Sequence, residues 1–473
     1  MPDHATYQRS RVAELVVVGV LFVWSLYQSF WNLSSANLNA DEPIYLTAGR
    51  AYLQGDFALN REHPPTAKYL LGFAQLILGE GELAGRIAVG VVVVLGGVVI
   101  FLWFRREIGW PFAAFAAAAW TLLPHGVSSG VRLDRFALLE PFMVFFAIAA
   151  FAAAWMWFRT RSWVWLIVSA VAMALSVTSK VSSAVLVPAI LVLPLLDRRL
   201  RDALVGGVVF VAVFATAFVL LYAPMGIRSA ITYMLEMQSQ HNATGHSVVV
   251  AGAVYLHPPW WTNLLFSVEG MGVAATAVLL VGAVSALWRR PPALSIFLYS
   301  GVALLFVFYL VLSSVALTHY YYVWVWFLCA LSGIGLSVLW NAAGRRRRVG
   351  RAVAVAMVVV AVASGAWTSA TIAAERPRGM ALVVEELDEL DVGDGDILVG
   401  GLAEWEYAPY LDGRQVLSPA DGDVVAVVTK DSVRFPLSDD VEVYLREYRT
   451  DLEPIVLDDV TLWVLEDEMA AGG

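Results

Sequence analysis

Cysteine is nearly missing. Cys329 is the only one in 473 residues, which excludes an intramolecular disulfide framework and any cysteine-based zinc or iron–sulfur site. Lysine is almost as scarce, with Lys68, Lys180 and Lys430 standing against 28 arginines. Charged residues make up only 15% of the chain, whereas soluble domains carry about 25%. Apolar side chains fill the gap at 59%, too many for an ordinary soluble enzyme. At about 20 residues per crossing, a chain of this length spans a bilayer roughly ten times and leaves a folded domain over. The composition is that of a polytopic membrane protein.

The net charge of −9 hides a split. From Glu375 onward there are 25 acidic and 7 basic residues, while the first 374 residues hold 15 and 24. An acidic tail does not bind nucleic acid by counterion release. Abundant Asp and Glu with little Lys suits a surface kept hydrated in strong salt, where repulsion is screened; a GC-rich genome favouring Arg codons is the plainer reading.

Hydropathy gives about eleven transmembrane helices, at 12–32, 84–104, 111–129, 136–158, 163–179, 181–196, 203–224, 266–288, 293–315, 320–340 and 351–371. Arg9/Arg11, Arg105/Arg106, Arg159/Arg161, Arg198/Arg199/Arg201, Arg289/Arg290 and Arg345–Arg348 with Arg351 fall in alternate connections. The positive-inside rule then sets the N-terminus in the cytoplasm and the tail outside. The first helix leaves through Trp24, Tyr27, Phe30 and Trp31, an aromatic belt that marks a retained anchor rather than a cleaved signal. The expected architecture is mainly α: a helical bundle over 1–374, with outer loops at 33–83 and 225–265, and a small extracytoplasmic α/β domain over 375–473. In that domain Asp396–Leu402, Val424–Val428 and Val460–Leu465 read as strands and Gly379–Leu390 as a helix.

Ionisable groups near a bilayer are costly, by about 2.5–3.5 kcal/mol at its centre, so their clustering needs a reason. Asp41-Glu42 follows the first span. Arg132, Asp134, Arg135 and Glu140 lie between the third and fourth, Lys180 joins the fifth to the sixth, and Thr318-His319-Tyr320 opens the tenth. On this topology all of them share the outer interface. Such a site suits a reaction between a lipid-anchored phosphate and a water-side hydroxyl. The phosphate departs as a stable anion and needs cations, while the hydroxyl needs one carboxylate as general base. Asp41 fits the base, with Arg135, Lys68 and His63 as phosphate partners.

Three motifs narrow the reading. Asn39-Ala40-Asp41-Glu42-Pro43-Ile44-Tyr45, Glu62-His63-Pro64-Pro65-Thr66-Ala67-Lys68 and Arg135-Phe136-Ala137-Leu138-Leu139-Glu140 resemble, in order and membrane placement, the motifs of the dolichyl-phosphate-mannose protein mannosyltransferases and their aminoarabinose-transferase relatives. The likeness covers about residues 10–225; beyond it only the general layout is similar, and the β-trefoil insertion of eukaryotic protein mannosyltransferases is missing. In one departure, the acid of the second motif abuts the histidine. The resemblance implies a GT-C fold and transfer of a sugar, mannose foremost, from a polyprenyl (dolichyl) phosphate at the outer leaflet, with inversion. It makes Asp41 the base and Glu42 an acidic neighbour orienting the acceptor. Glu62, His63 and Lys68 line the donor side, and Arg135 holds the phosphate. The acceptor is a glycoprotein glycan, a protein or, as in the aminoarabinose branch, a lipid.

Plainer readings stand beside these. Asp41-Glu42 also suits a helix start, His63-Pro64-Pro65 a helix boundary, and Arg135 an interfacial snorkelling arginine. Glu140 reads as a structural partner that neutralises Arg135 or Arg132. His319, a donor-side candidate, opens a run with Tyr320, Tyr321 and Tyr322 that reads more readily as an interfacial belt. His241, His246 and His257 allow a divalent cation, yet H-x4-H in a loop is weak, and His257-Pro258-Pro259-Trp260-Trp261 equally suits an aromatic anchor in the headgroups. Asn32-Leu33-Ser34 and Asn242-Ala243-Thr244 are sequons on the expected outer side. Functions of other classes are a polyprenyl-lipid transporter, which needs ionisable groups near the bilayer midplane, and a surface-anchored binding module working through its acidic tail.

Overall fold

Long apolar runs closed by arginine, proline and glycine become helices because the bilayer leaves a backbone no partner except itself. The computed structural model describes residues 4–126, 132–344, 346–393, 395–448 and 452–465. The chain divides into two units, one of 1–33, 44–245 and 257–374, the other of 34–43, 246–256 and 375–473.

The helices of the first unit are α1 (His4–Phe30), α2 (Glu42–Leu53, whose first two residues belong to the second unit), α3 (Thr66–Leu78), α4 (Glu82–Ile108), α5 (Trp110–Leu122), α6 (Glu140–Thr160) and α7 (Trp163–Val177). They continue with α8 (Val187–Val192), α9 (Leu200–Tyr222), α10 (Ile227–Thr244), α11 (Thr262–Ala286), α12 (Ala293–Phe306), α13 (Tyr322–Trp340) and α14 (Arg346–Ala374). Among the described residues, eight helical segments are long and apolar enough to cross a membrane, and the shorter apolar ones are Thr66–Leu78, Trp110–Leu122, Trp163–Val177 and Val181–Asp197.

Three of the shorter segments sit where full spans are expected, for local reasons. Helix α5 stops ahead of Leu123-Pro124, because the residue before proline is pushed out of helical conformation; residues 127–129 of that expected span lie outside the described residues. Helix α7 ends where the Thr178 and Ser179 hydroxyls bond back to the Ala174 and Leu175 carbonyls (2.7 and 2.8 Å). Pro188 and Pro194 divide 181–197 into 3₁₀, α and 3₁₀ pieces.

Within the bundle α6 packs on α7, α4 on α5 and α11 on α13. The α11–α13 crossing is a backbone contact: a Cβ on Gly335 would lie 1.9 Å from the Gly282 carbonyl oxygen. Small residues at such crossings let membrane helices approach closely.

The second unit contains a hairpin, β1 (Val248–Val250) and β2 (Ala253–Tyr255), turned through Ala251 and Gly252 with positive φ at both. Its sheet has the order β4-β3-β5-β7-β6, built from β3 (Asp396–Gly400), β4 (Gln415–Val416), β5 (Val424–Thr429), β6 (Leu452–Leu457) and β7 (Val460–Leu465). Strand β3 runs parallel to β4 and β5, whereas β7 is antiparallel to β5 and β6. Helices α15 (Met380–Glu389) and α16 (Glu404–Leu411) lay Val383, Leu387, Tyr407 and Leu411 against Ile397, Val399, Ala426 and Val428. From α17 (Asp439–Glu447), Val441 covers Leu398 and Val427 on the other face. With both faces covered, β5 is buried throughout, which is why it reads as one continuous apolar run.

Candidate active site

Helices α2 and α3 follow the first span and cross almost backbone to backbone. A Cβ on Gly72 would stand 2.3 Å from the Gly49 carbonyl oxygen. That approach lets Lys68, in the first turn of α3, reach back to Tyr52 on α2. The buried ammonium donates to the Tyr52 hydroxyl (2.8 Å) and to the Asn60 and His63 carbonyls (2.5 and 2.8 Å), and it sits 4.5 Å from the Tyr52 ring centroid. Lys68 therefore shapes the 60–63 turn from inside. Burial pulls its pKa down to about 7, with Glu62 pulling the other way. Asn60 in turn donates to the Glu62 carboxylate (2.7 Å).

Pro64 and Pro65 end that turn and start α3. Thr66 then docks on the turn after α7. Its N–H donates to the Thr178 carbonyl (2.8 Å), and the two hydroxyls lie 2.6 Å apart. His63 is thereby carried to the Lys180 side of the bundle, edge-on to Tyr45 with ring centroids 5.8 Å apart. Burial, then the charges of Lys180 and Lys68, push its pKa down to about 3, against the pull of Glu140. The imidazole is thereby neutral rather than a cation at physiological pH.

Glu140 opens α6 and is buried. It pairs with Lys180, and His319 Nε2 lies 3.2 Å from the same carboxylate oxygen. Lys180 also stands 5.1 Å from the Tyr320 ring centroid. This corrects one expectation. Glu140 neutralises neither Arg132 nor Arg135, because the start of α6 presents it to the turn after α7. A buried carboxylate must be paired, and Lys180 is the partner that helix order supplies.

Arg132 pairs with Asp134 instead, in a fork of 2.7 and 2.5 Å, and also donates to Gln28 Oε1 (3.0 Å) and the Leu123 carbonyl (3.1 Å). The Tyr322 hydroxyl donates to Asp134 (3.3 Å), and the Tyr321 hydroxyl to the Gly126 carbonyl (2.6 Å). Both tyrosines are fully buried. This overturns an interfacial belt for Tyr321 and Tyr322: their hydroxyls find partners inside the bundle, where a phenol can be buried. Arg135 is buried and donates to the Gln28 and Trp31 carbonyls at the end of α1. It anchors the chain as it leaves the first span.

Asp41 and Glu42 belong to the second unit. The Asp41 N–H donates to Asn39 Oδ1 (3.2 Å), and the Asn39 N–H donates to Glu42 Oε2 (2.8 Å). Glu42 is buried at the first position of α2 and Asp41 is half-buried. The structure thus gathers His63, Lys68, Glu140, Lys180 and His319 in the first unit, with Glu62 beside Lys68. His257 is exposed, and no hydrogen bond or ion pair joins it to them among the described residues. Among those residues no group of three or more His, Cys, Asp or Glu side chains is arranged to hold a metal ion.

Sequence reasoning missed Tyr52, Asn60 and the Thr66–Thr178 contact. A lysine in an apolar setting announces that it needs acceptors, but two of the four it found are main-chain carbonyls, which carry no sequence signal.

Residues 62–227 match the model of the dolichyl-phosphate-mannose-protein mannosyltransferase family. That segment contains Glu62, His63, Lys68, Arg132, Asp134, Arg135, Glu140 and Lys180. No curated protein matches the chain in sequence. Among solved structures, ArnT from Cupriavidus metallidurans bound to undecaprenyl phosphate is similar at 15% identity, with a TM-score of 0.60 over 96% of this chain and 97% of that one. The Archaeoglobus fulgidus oligosaccharyltransferase in its apo form is similar at 11% identity, with a TM-score of 0.59 over 88% and 69%. AglB from the same organism, in complex with an inhibitory peptide and a dolichol-phosphate, gives 0.54 at 11% identity over 89% and 70%. At these identities the likeness is one of fold.

Proposed function

We propose that this chain is a multi-pass membrane glycosyltransferase of the GT-C class that uses a polyprenyl-phosphate sugar, and that it transfers mannose from dolichyl phosphate to an extracytoplasmic glycan or protein; the family match over 62–227 and the fold likeness to ArnT support the reading. The observation that carries the reading is the set of polar groups around Glu140: Lys180, His319, His63 and, behind them, Lys68. Such a set, at the start of membrane helices, suits a phosphate whose sugar is about to leave it.

In this mechanism the acceptor hydroxyl oxygen attacks the anomeric carbon from the side opposite the phosphate. The new C–O bond forms as the bond to the phosphate oxygen breaks, so the anomeric configuration inverts. Asp41 takes the hydroxyl proton, and Glu42, beside it in sequence, orients the acceptor. Lys68, Lys180 and Arg135 supply positive charge on the donor side. Neutral His63 supplies a hydrogen bond, Glu62 keeps Lys68 protonated, and His319 completes the donor contacts. Arg132, Asp134 and Glu140 hold the frame, and His257 supports the outer loop. The arginine-rich connections set the N-terminus in the cytoplasm and the C-terminal domain outside.

A lipid acceptor is the second reading, since the three motifs resemble those of the aminoarabinose-transferase branch as well. Labelled dolichyl-phosphate mannose, dolichyl-phosphate glucose and undecaprenyl-phosphate aminoarabinose, each incubated with membranes holding the protein, test the proposal. Label from the mannose donor in a protein or glycan fraction is expected. Label in the lipid fraction alone would replace this acceptor with a lipid.

A further inference from the structure

The segment that bears Asp41 is held by the sheet-containing unit. Asn37 brackets the backbone of Arg378: its Nδ2 donates to the Arg378 carbonyl (2.6 Å), and the Arg378 N–H donates to its Oδ1 (2.9 Å). The next residue, Leu38, donates its N–H to the Tyr410 hydroxyl (2.8 Å). Asn39 then engages Asp41 and Glu42 as described. From 37 to 42 the chain is a run of side-chain clasps, two of them reaching more than 300 residues along the sequence.

We infer that Asn37 and Tyr410 are positioning residues, which hold the Asp41 segment so that its carboxylate meets the acceptor hydroxyl; the inference rests on Asp41 being the base. The clasp is not needed to build the unit's own core. Among the described residues, that core is made from residues 380 onward, with no side chain from 34–43 in it. The ring of Tyr410 packs against the same core, so its hydroxyl is a rigid post. The paired bonds of Asn37 fix orientation as well as position. A general base must stand within about 2.6–3.2 Å of the oxygen whose proton it takes, and a slip of about 1 Å lowers the rate by roughly 100-fold. A loop without secondary structure reaches that tolerance only when a rigid element supports it.

Tyr410→Phe keeps the ring and removes the hydroxyl, and Asn37→Ala removes the paired bonds. Both are measured on the full chain in membranes, with whichever labelled donor of the panel above the wild type turns over fastest. Each variant is expected to lower kcat by about 10-fold or more, with the donor KM within about twofold and an unchanged melting temperature. On an Asp41→Ala background, Tyr410→Phe is expected to add no further loss, because the base it positions is gone. Wild-type kcat in both single variants overturns the inference while leaving Asp41 as the base. So does a loss that persists in full on the Asp41→Ala background. Wild-type transfer by Asp41→Ala alone removes the base, and this inference with it.

Discussion

In the proposed reaction, Lys68 is the residue where fold and chemistry meet. Its ammonium is enclosed by Tyr52, Asn60 and His63, and burial brings its pKa to about 7. The charged form is present below that pH and is lost above it. If the cation serves the donor phosphate, kcat/KM falls about tenfold per pH unit on the alkaline side of 7. Glu62 is the one group pulling the pKa back up, so Glu62→Gln is expected to move the alkaline limb to lower pH; an unmoved limb separates Lys68 from catalysis. Lys180→Met removes the ion-pair partner of buried Glu140. Stripping one partner from a buried pair costs about 3–5 kcal/mol, so a lower melting temperature is expected together with slower transfer. Of these residues, Lys68, Glu140, Lys180 and His319 were legible as polar exceptions in an apolar chain. Their pairing was not, since it depends on which helix starts face each other.

At the scale of elements, hydropathy finds each of the eight long apolar helical segments among the described residues and overstates the length of some others. The ends of α5 and α7 are set by Pro124 and by the Thr178 and Ser179 hydroxyls, whose effects are local and small beside a long apolar run. The Asp396–Leu402 strand stops at Gly400, since Gly401 takes a positive φ of 76° that strands do not use. Helices α2 and α3 were invisible as a pair because their contact is made by glycines. Gly72→Ala would drive a methyl into the Gly49 carbonyl. Overpacking of this kind costs about 1–3 kcal/mol, and moving α3 also moves Lys68. A lower melting temperature with a raised donor KM is the expected result; a wild-type KM would detach the α2–α3 crossing from donor binding.

For the whole molecule, the split in charge reappears as a division into units. The acidic residues from 375 onward lie in a unit that also takes in 34–43 and 246–256, a membership fixed by long-range contacts that no local pattern foretells. Raising the ionic strength from about 0.1 to about 1 M shortens the screening length from about 10 to about 3 Å. Repulsion within the acidic unit then weakens, and the melting temperature of the full chain is expected to rise; a fall would remove the salt-adapted reading of its surface. The assignment as a whole depends on Asp41 taking the proton of the acceptor hydroxyl. Sugar transfer by Asp41→Ala in isolated membranes tests that most directly. Transfer is expected to drop by about 10²–10⁴-fold with expression and donor binding kept, whereas transfer at the wild-type rate would contradict it.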